Sequence, residues 1–131
     1  MTALQTYTEE QVISHAMDEN IVASLYDRAQ MIINVFLDDG LQCMEMTHQL
    51  FRNVIATSGL SEYSVYAGVT EAIKGLKTRR VMLDGVSSDD LLCWLLKESS
   101  TLSYAEIAEM TGFTRGQVAE GIAAVRSSLL S

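Results

Sequence analysis

A chain of 131 residues with a formal net charge of −8, 48% apolar and free of proline, holds enough sequence for one compact domain or two small units sharing a core. Its longest apolar run, Ala29 to Leu37, falls well short of the roughly 18 residues of a membrane span and is interrupted by Gln30 and Asn34, and the N-terminus lacks the basic-then-apolar order of a secretion signal. Cys43 and Cys93 stand apart with no CxxC spacing, which weighs against a disulfide framework or a metal site and fits buried, reduced thiols in a cytoplasmic protein.

Thr8 to Gln11 (T-E-E-Q) fits a capping box and opens a first helical stretch with Val12, Ile13, Ala16 and Met17 on one face. Asp18 or Asn20 is expected to bend or restart it. From Ile21, the apolar residues Leu25, Ala29, Ile32, Ile33 and Phe36 recur at spacings of three and four, a helix that Asp38-Asp39-Gly40 ends. Residues 1–46 carry eight carboxylates against the single cation Arg28. Segment 1–40 therefore reads as an acidic helical region whose apolar face serves either as core or as the joint of a homodimer.

Leu41 to Ser58 repeats the helical spacing through Met44, Leu50, Phe51, Val54 and Ile55 and stops at Gly59. A helix starting near Ser61 follows and ends in the basic cluster Lys74, Lys77, Arg79 and Arg80. These cations can complement a helix dipole, or they can contact phosphates and fix position on a duplex without reading bases. Val81 to Gly85 is the one place for a short strand or wing, or a plain linker. Ser87 or Ser88 then caps an apolar helix through Leu91, Leu92, Trp94, Leu95 and Leu96, with Asp89 and Asp90 in its first turn and Trp94 expected in the core.

The last stretch, Ser103 to Leu129, announces two helix starts eleven residues apart: Ser103 with Glu106, and Thr114 with Gln117, both fit the capping box. Gly112 lies where the first helix must stop, and glycine accepts the left-handed conformation of such a cap. Ile107, Ala108, Phe113, Val118 and Ile122 can close on one another around the turn, the pattern of a helix-turn-helix. From Leu102 to Val118 the sequence LSYAEIAEMTGFTRGQV resembles the promoter-reading C-terminal region of bacterial sigma factors. That resemblance implies DNA contact from the start of the second helix, by Thr114, Arg115 and Gln117, with Arg126 reaching a phosphate further along. It weakens after Val118, where the family usually places Lys, Ser and Arg and this chain has Ala119, Glu120 and Gly121.

Laying Gly59 on Gly112, an offset of 53 residues, brings Ser61 onto Thr114, Val65 onto Val118, Gly68 onto Gly121 and Val69 onto Ile122. A second, degenerate motif is thus expected at 49–76, with Ser61, Tyr63 and Tyr66 on its second helix as further DNA-contact candidates. The expected fold is all-α: a helical bundle with a C-terminal helix-turn-helix in 86–131 and a tandem copy, basic tail included, in 41–85.

Two functional classes remain open. The first is a DNA-binding transcription regulator acting on double-stranded DNA as a homodimer, favoured by Arg115 and the basic cluster. The second is a protein-binding module that engages RNA polymerase or another regulator, favoured by Glu120, Gly121, the small-residue face of the last helix and the acidity of the whole. The local charge asymmetry favours DNA. Neither His15 nor His48 has a motif that pairs it with a nucleophile or metal ligands, and no glycine-rich phosphate loop is present, so no enzyme, cofactor or metal is expected.

Overall fold

The computed structural model describes residues 9–76, 79 and 85–130, with side chains from Glu19 onward. Six helices make up the described chain: α1 (Glu9–Phe36), α2 (Gly40–Thr57), α3 (Glu62–Lys74), α4 (Ser88–Ser99), α5 (Tyr104–Thr111) and α6 (Arg115–Leu130). The architecture is all-α, and no strand occurs among the described residues. Thr8, Lys77, Arg80 and residues 81–84 lie outside that set, and with them the first capping box, half of the basic cluster and most of the wing expected at Val81 to Gly85.

The 28 residues of α1 run unbroken past Asp18 and Asn20, where a bend was expected. Neither Gly nor Pro interrupts Glu9–Phe36, and a polar side chain alone does not break a helix whose far half is held by packing. The Asp38-Asp39-Gly40 stop has a second task. Asp39 accepts from the Gln42 amide at 3.0 Å and caps α2, so the chain reverses within three residues.

Helices α1, α2 and α3 pack pairwise on one another, as do α4, α5 and α6, and α3 on α5 together with α1 on α4 join the two trios. One continuous apolar core runs through both, from Leu25 to Val125. Leu25, Ile32, Ile33 and Phe36 are all inside it. The α1 face offered above as a dimer joint is therefore core, and only Ile21 of that set stays exposed.

Two pairs of positions 53 residues apart and the glycines before them can be compared directly. Gly59 and Gly112 both take left-handed φ, 78° and 85°, and the residues laid on each other, Val65 and Val118, Val69 and Ile122, are buried in both trios. The match ends at the surface. Ile55 is 61% exposed, whereas its counterpart Ala108 is packed against the core.

Candidate functional site

Ser103 and Glu106 close a reciprocal capping box at the start of α5, at 3.1 and 2.9 Å. Gly112 ends that helix, its amide donating to the Ala108 carbonyl at 2.9 Å. Two residues later Thr114 and Gln117 form the second box: the Gln117 amide donates to Thr114 Oγ1 at 3.0 Å, and Gln117 Oε1 accepts from the Thr114 amide at 2.8 Å. The turn between the helices is therefore fixed at both ends by short-range bonds that the sequence encodes locally.

Val118, Gly121, Ile122 and Val125 carry the buried side of α6. Gly121 is there for closeness, since a Cβ on it would stand 3.2 Å from Asp90 Cα and 2.8 Å from Asp90 Oδ1. Its place in a small-residue face for an outside partner is thus corrected: α4 already occupies that side. The first turn of α6 is open, with Thr114, Arg115, Gly116 and Gln117 all exposed. Because Gln117 Oε1 is held in the cap, its amide nitrogen is what the side chain can still offer outward.

Arg115 and Arg126 are eleven residues apart, close to three full turns at about 3.6 residues per turn, so both leave α6 on the same side. Neither makes a hydrogen bond or ion pair among the described residues. Glu120 stands about 140° round the helix from Arg115 by the same repeat. It faces a groove of about 450 Å³ between α4 and α6, lined also by Asp89, Asp90, Cys93, Phe113 and Gln117. One edge of α6 is thus basic and the other acidic, and Glu120 does not sit between the two arginines.

The remaining candidates are engaged elsewhere. Ser61 caps α3 in a box with Ser64. Tyr63 donates to Glu109 Oε1 at 2.6 Å, and this bond to a carboxylate pushes the phenol up to about 12. Tyr66 is fully buried and donates to the Ser99 carbonyl at 2.9 Å, which removes it from any surface contact. Lys74 donates to the Thr111 carbonyl, and Arg79 bonds Ser88 Oγ and Asp89 Oδ1 at 3.1 and 3.2 Å. These are corrections to the expected roles of Tyr66, Lys74 and Arg79: the packing of α3 on α5 and on the 99–103 loop engages the first two, and the start of α4 holds Arg79.

Arg28 and Glu62, which the sequence did not single out, complete that seam. Arg28 Nη1 donates to the Ser99 carbonyl at 2.6 Å, the same oxygen that Tyr66 uses, and lies 3.9 Å from Glu62. Glu62 Oε1 accepts from the Thr101 amide and hydroxyl at 3.1 and 2.6 Å. The available signal was that Arg28 is the lone cation in an acidic stretch. Among the described residues no group of three or more His, Cys, Asp or Glu side chains is placed to hold a metal ion, and no helix is long and apolar enough to cross a membrane.

No protein-family model, no curated protein and no solved structure matches this chain.

Proposed function

We propose that the chain is an intracellular DNA-binding transcription regulator of the helix-turn-helix type, with α6 as the reading helix and double-stranded DNA as its partner. The observation that carries this is the solvent-open first turn of α6, which presents Arg115 beside a fully capped helix start while Arg126 projects from the same side. An arginine at that place has the reach and fork geometry for a guanine edge, and one further along the helix can neutralise a phosphate. Helix α3 acts as scaffold, since Tyr63, Tyr66 and Lys74 hold it to the C-terminal trio.

Affinity per copy is low in this reading. Arg28, Lys74, Arg79 and Lys97 are all committed to bonds within the chain, and a net charge of −8 opposes approach to a phosphate backbone. Two copies on one duplex double the contacts, so action as a dimer follows from the same shortage.

The commitment of those four cations also favours a second reading, a protein-binding module that engages RNA polymerase or another regulator without touching bases. Titration of the chain against random duplex DNA at low and moderate salt, followed by selection of bound sequences from a random pool, separates the two. Salt-sensitive binding with a recovered sequence preference supports DNA. Absence of any salt-sensitive binding transfers the case to the protein partner.

A further inference from the structure

Between α2 and α3 runs an apolar groove whose two overlapping lobes measure about 440 and 460 Å³. Leu50 and Val54 of α2 and Ala67, Gly68 and Ala72 of α3 line it, and Glu71 is among the lining residues of both lobes. Gly68 makes the floor: a Cβ there would meet Leu50 Cγ at 2.9 Å, so the two helices touch beneath the groove and leave no ridge across it. Glu71 is exposed and forms no ion pair among the described residues.

The last turn of α6 has the complementary character. Leu129 and Leu130 are 51% and 89% exposed, and Arg126, exposed and without an ion pair among the described residues, sits three and four residues before them. Residues at that spacing share one helix face, the spacing by which an amphipathic helix enters a hydrophobic groove. The helices that pack on α6 are α4 and α5.

We infer that the α2–α3 groove receives the last turn of α6 from a second copy of the chain, Leu129 and Leu130 entering the apolar floor and Arg126 meeting Glu71. Two unpartnered surfaces of opposite charge and matching apolar content on one molecule are satisfied together by this contact. Another exposed apolar side chain, Met31 on α1, lies in a pocket lined by the polar residues Asp27, Gln30 and Asn34. The contact also supplies the dimer invoked above: it leaves Arg115 free, since the start of α6 lies about 20 Å from its last turn at about 1.5 Å per residue, and Arg126, with five N–H donors, can address Glu71 and keep a donor for a phosphate.

Sedimentation equilibrium of the full chain without DNA, from micromolar to hundreds of micromolar, tests the contact independently of DNA binding. Expected are a reversible dimer and its loss in Leu130→Asp. Weakening by roughly threefold to tenfold is expected in Glu71→Arg or Arg126→Glu, with recovery when both changes are combined. Circular dichroism of each variant checks that the helices are intact, as these positions are exposed. A chain that stays monomeric throughout overturns the proposal, and so does a dimer that Leu130→Asp leaves unchanged. A dimer abolished only by Met31→Asp overturns it too, because α1 then joins the copies.

Discussion

The ammonium of Lys74, at the end of α3, donates to the carbonyl of Thr111 at the end of α5 and stands 5.9 Å from the centroid of the Phe113 ring. A cation at a helix C-terminus satisfies a carbonyl that has no intrahelical partner and complements the dipole, and the ring adds a second attraction. The bond also holds the turn that aims α6, because Gly112 and Phe113 follow Thr111 directly. Lys74→Met is expected to lower stability by about 1 kcal/mol, given partial exposure, read from the midpoint of urea unfolding. The same substitution leaves the salt slope of DNA binding unchanged. A slope reduced by about one would return Lys74 to the phosphate-contact role.

Two glycines of one helix should respond to alanine with opposite signs. At Gly121 the added Cβ stands 3.2 Å from the Asp90 backbone, so α4 and α6 must part. A loss of about 1–3 kcal/mol follows from overpacking. At Gly116 the nearest atom outside the helix backbone is Thr114 Oγ1 at 3.8 Å, an ordinary contact, and alanine there gains a few tenths up to about 1 kcal/mol through helix propensity. Thermal unfolding of the two variants side by side decides it. Equal destabilisation would show that α6 tolerates no side chain on either face.

What could be seen in the sequence was whatever short-range chemistry fixes. The boxes at Ser103 and Thr114 and the stops at Gly59 and Gly112 involve bonds within four or five residues, and each appears where spacing placed it. Even the box at Ser61 was only half legible, because Ser64 fills the place usually taken by Glu or Gln. The surface was not legible. Tyr66, Lys74 and Arg79 have the composition of a nucleic-acid contact, and only the docking of α3 and the start of α4 against distant segments shows that their polar atoms are engaged. Arg28 and Ser99, 71 residues apart, meet for a reason no window of sequence contains.

That shared carbonyl gives a third prediction. Tyr66→Phe removes one of two donors from Ser99 and leaves Arg28 in place, so no acceptor is orphaned and the loss should be modest, about 1 kcal/mol. Arg28→Met also unpairs Glu62 from its cation and strips the shorter bond, and should lose about 1.5–3 kcal/mol. Because both donors address one oxygen, only the double variant leaves that carbonyl without a donor, and it should lose more than the two losses added. Strict additivity in the cycle would mean that the seam is held elsewhere.

For DNA, Arg115→Ala and Arg126→Ala should separate in kind. Loss of an arginine that reads a base costs about 1–3 kcal/mol at one position of the site and flattens preference there, whereas loss of a phosphate contact weakens all sequences alike and lowers the salt slope by about one. Arg115 begins α6, and Arg126 lies in its second half. The first substitution is therefore expected to erase preference and the second to lower general affinity. Binding curves on the selected sequence and on a scrambled duplex, each at several salt concentrations, distinguish these outcomes from a common loss of folding.

The Cys93 thiol, buried beneath the α4–α6 groove, is pushed up to about 11 from an ordinary value of 9.0, first by burial and then by the Asp90 and Asp89 carboxylates beside it. An unfolded chain releases this proton near pH 9 while the folded chain retains it. The folded state is therefore favoured below that pH, and the advantage is lost as pH climbs through about 11. Stability measured by urea between pH 8 and 11 should fall in the native chain more steeply than in Cys93→Ala. Tyr63, raised by its bond to Glu109, contributes in the same direction in both proteins and cancels in the comparison. A thiolate is the reactive form, so alkylation of Cys93 at pH 8 should wait on opening of the α4–α6 contact and accelerate in Gly121→Ala. Equal rates in folded and urea-unfolded protein at pH 8 would show that neither burial nor the carboxylates protect this thiol.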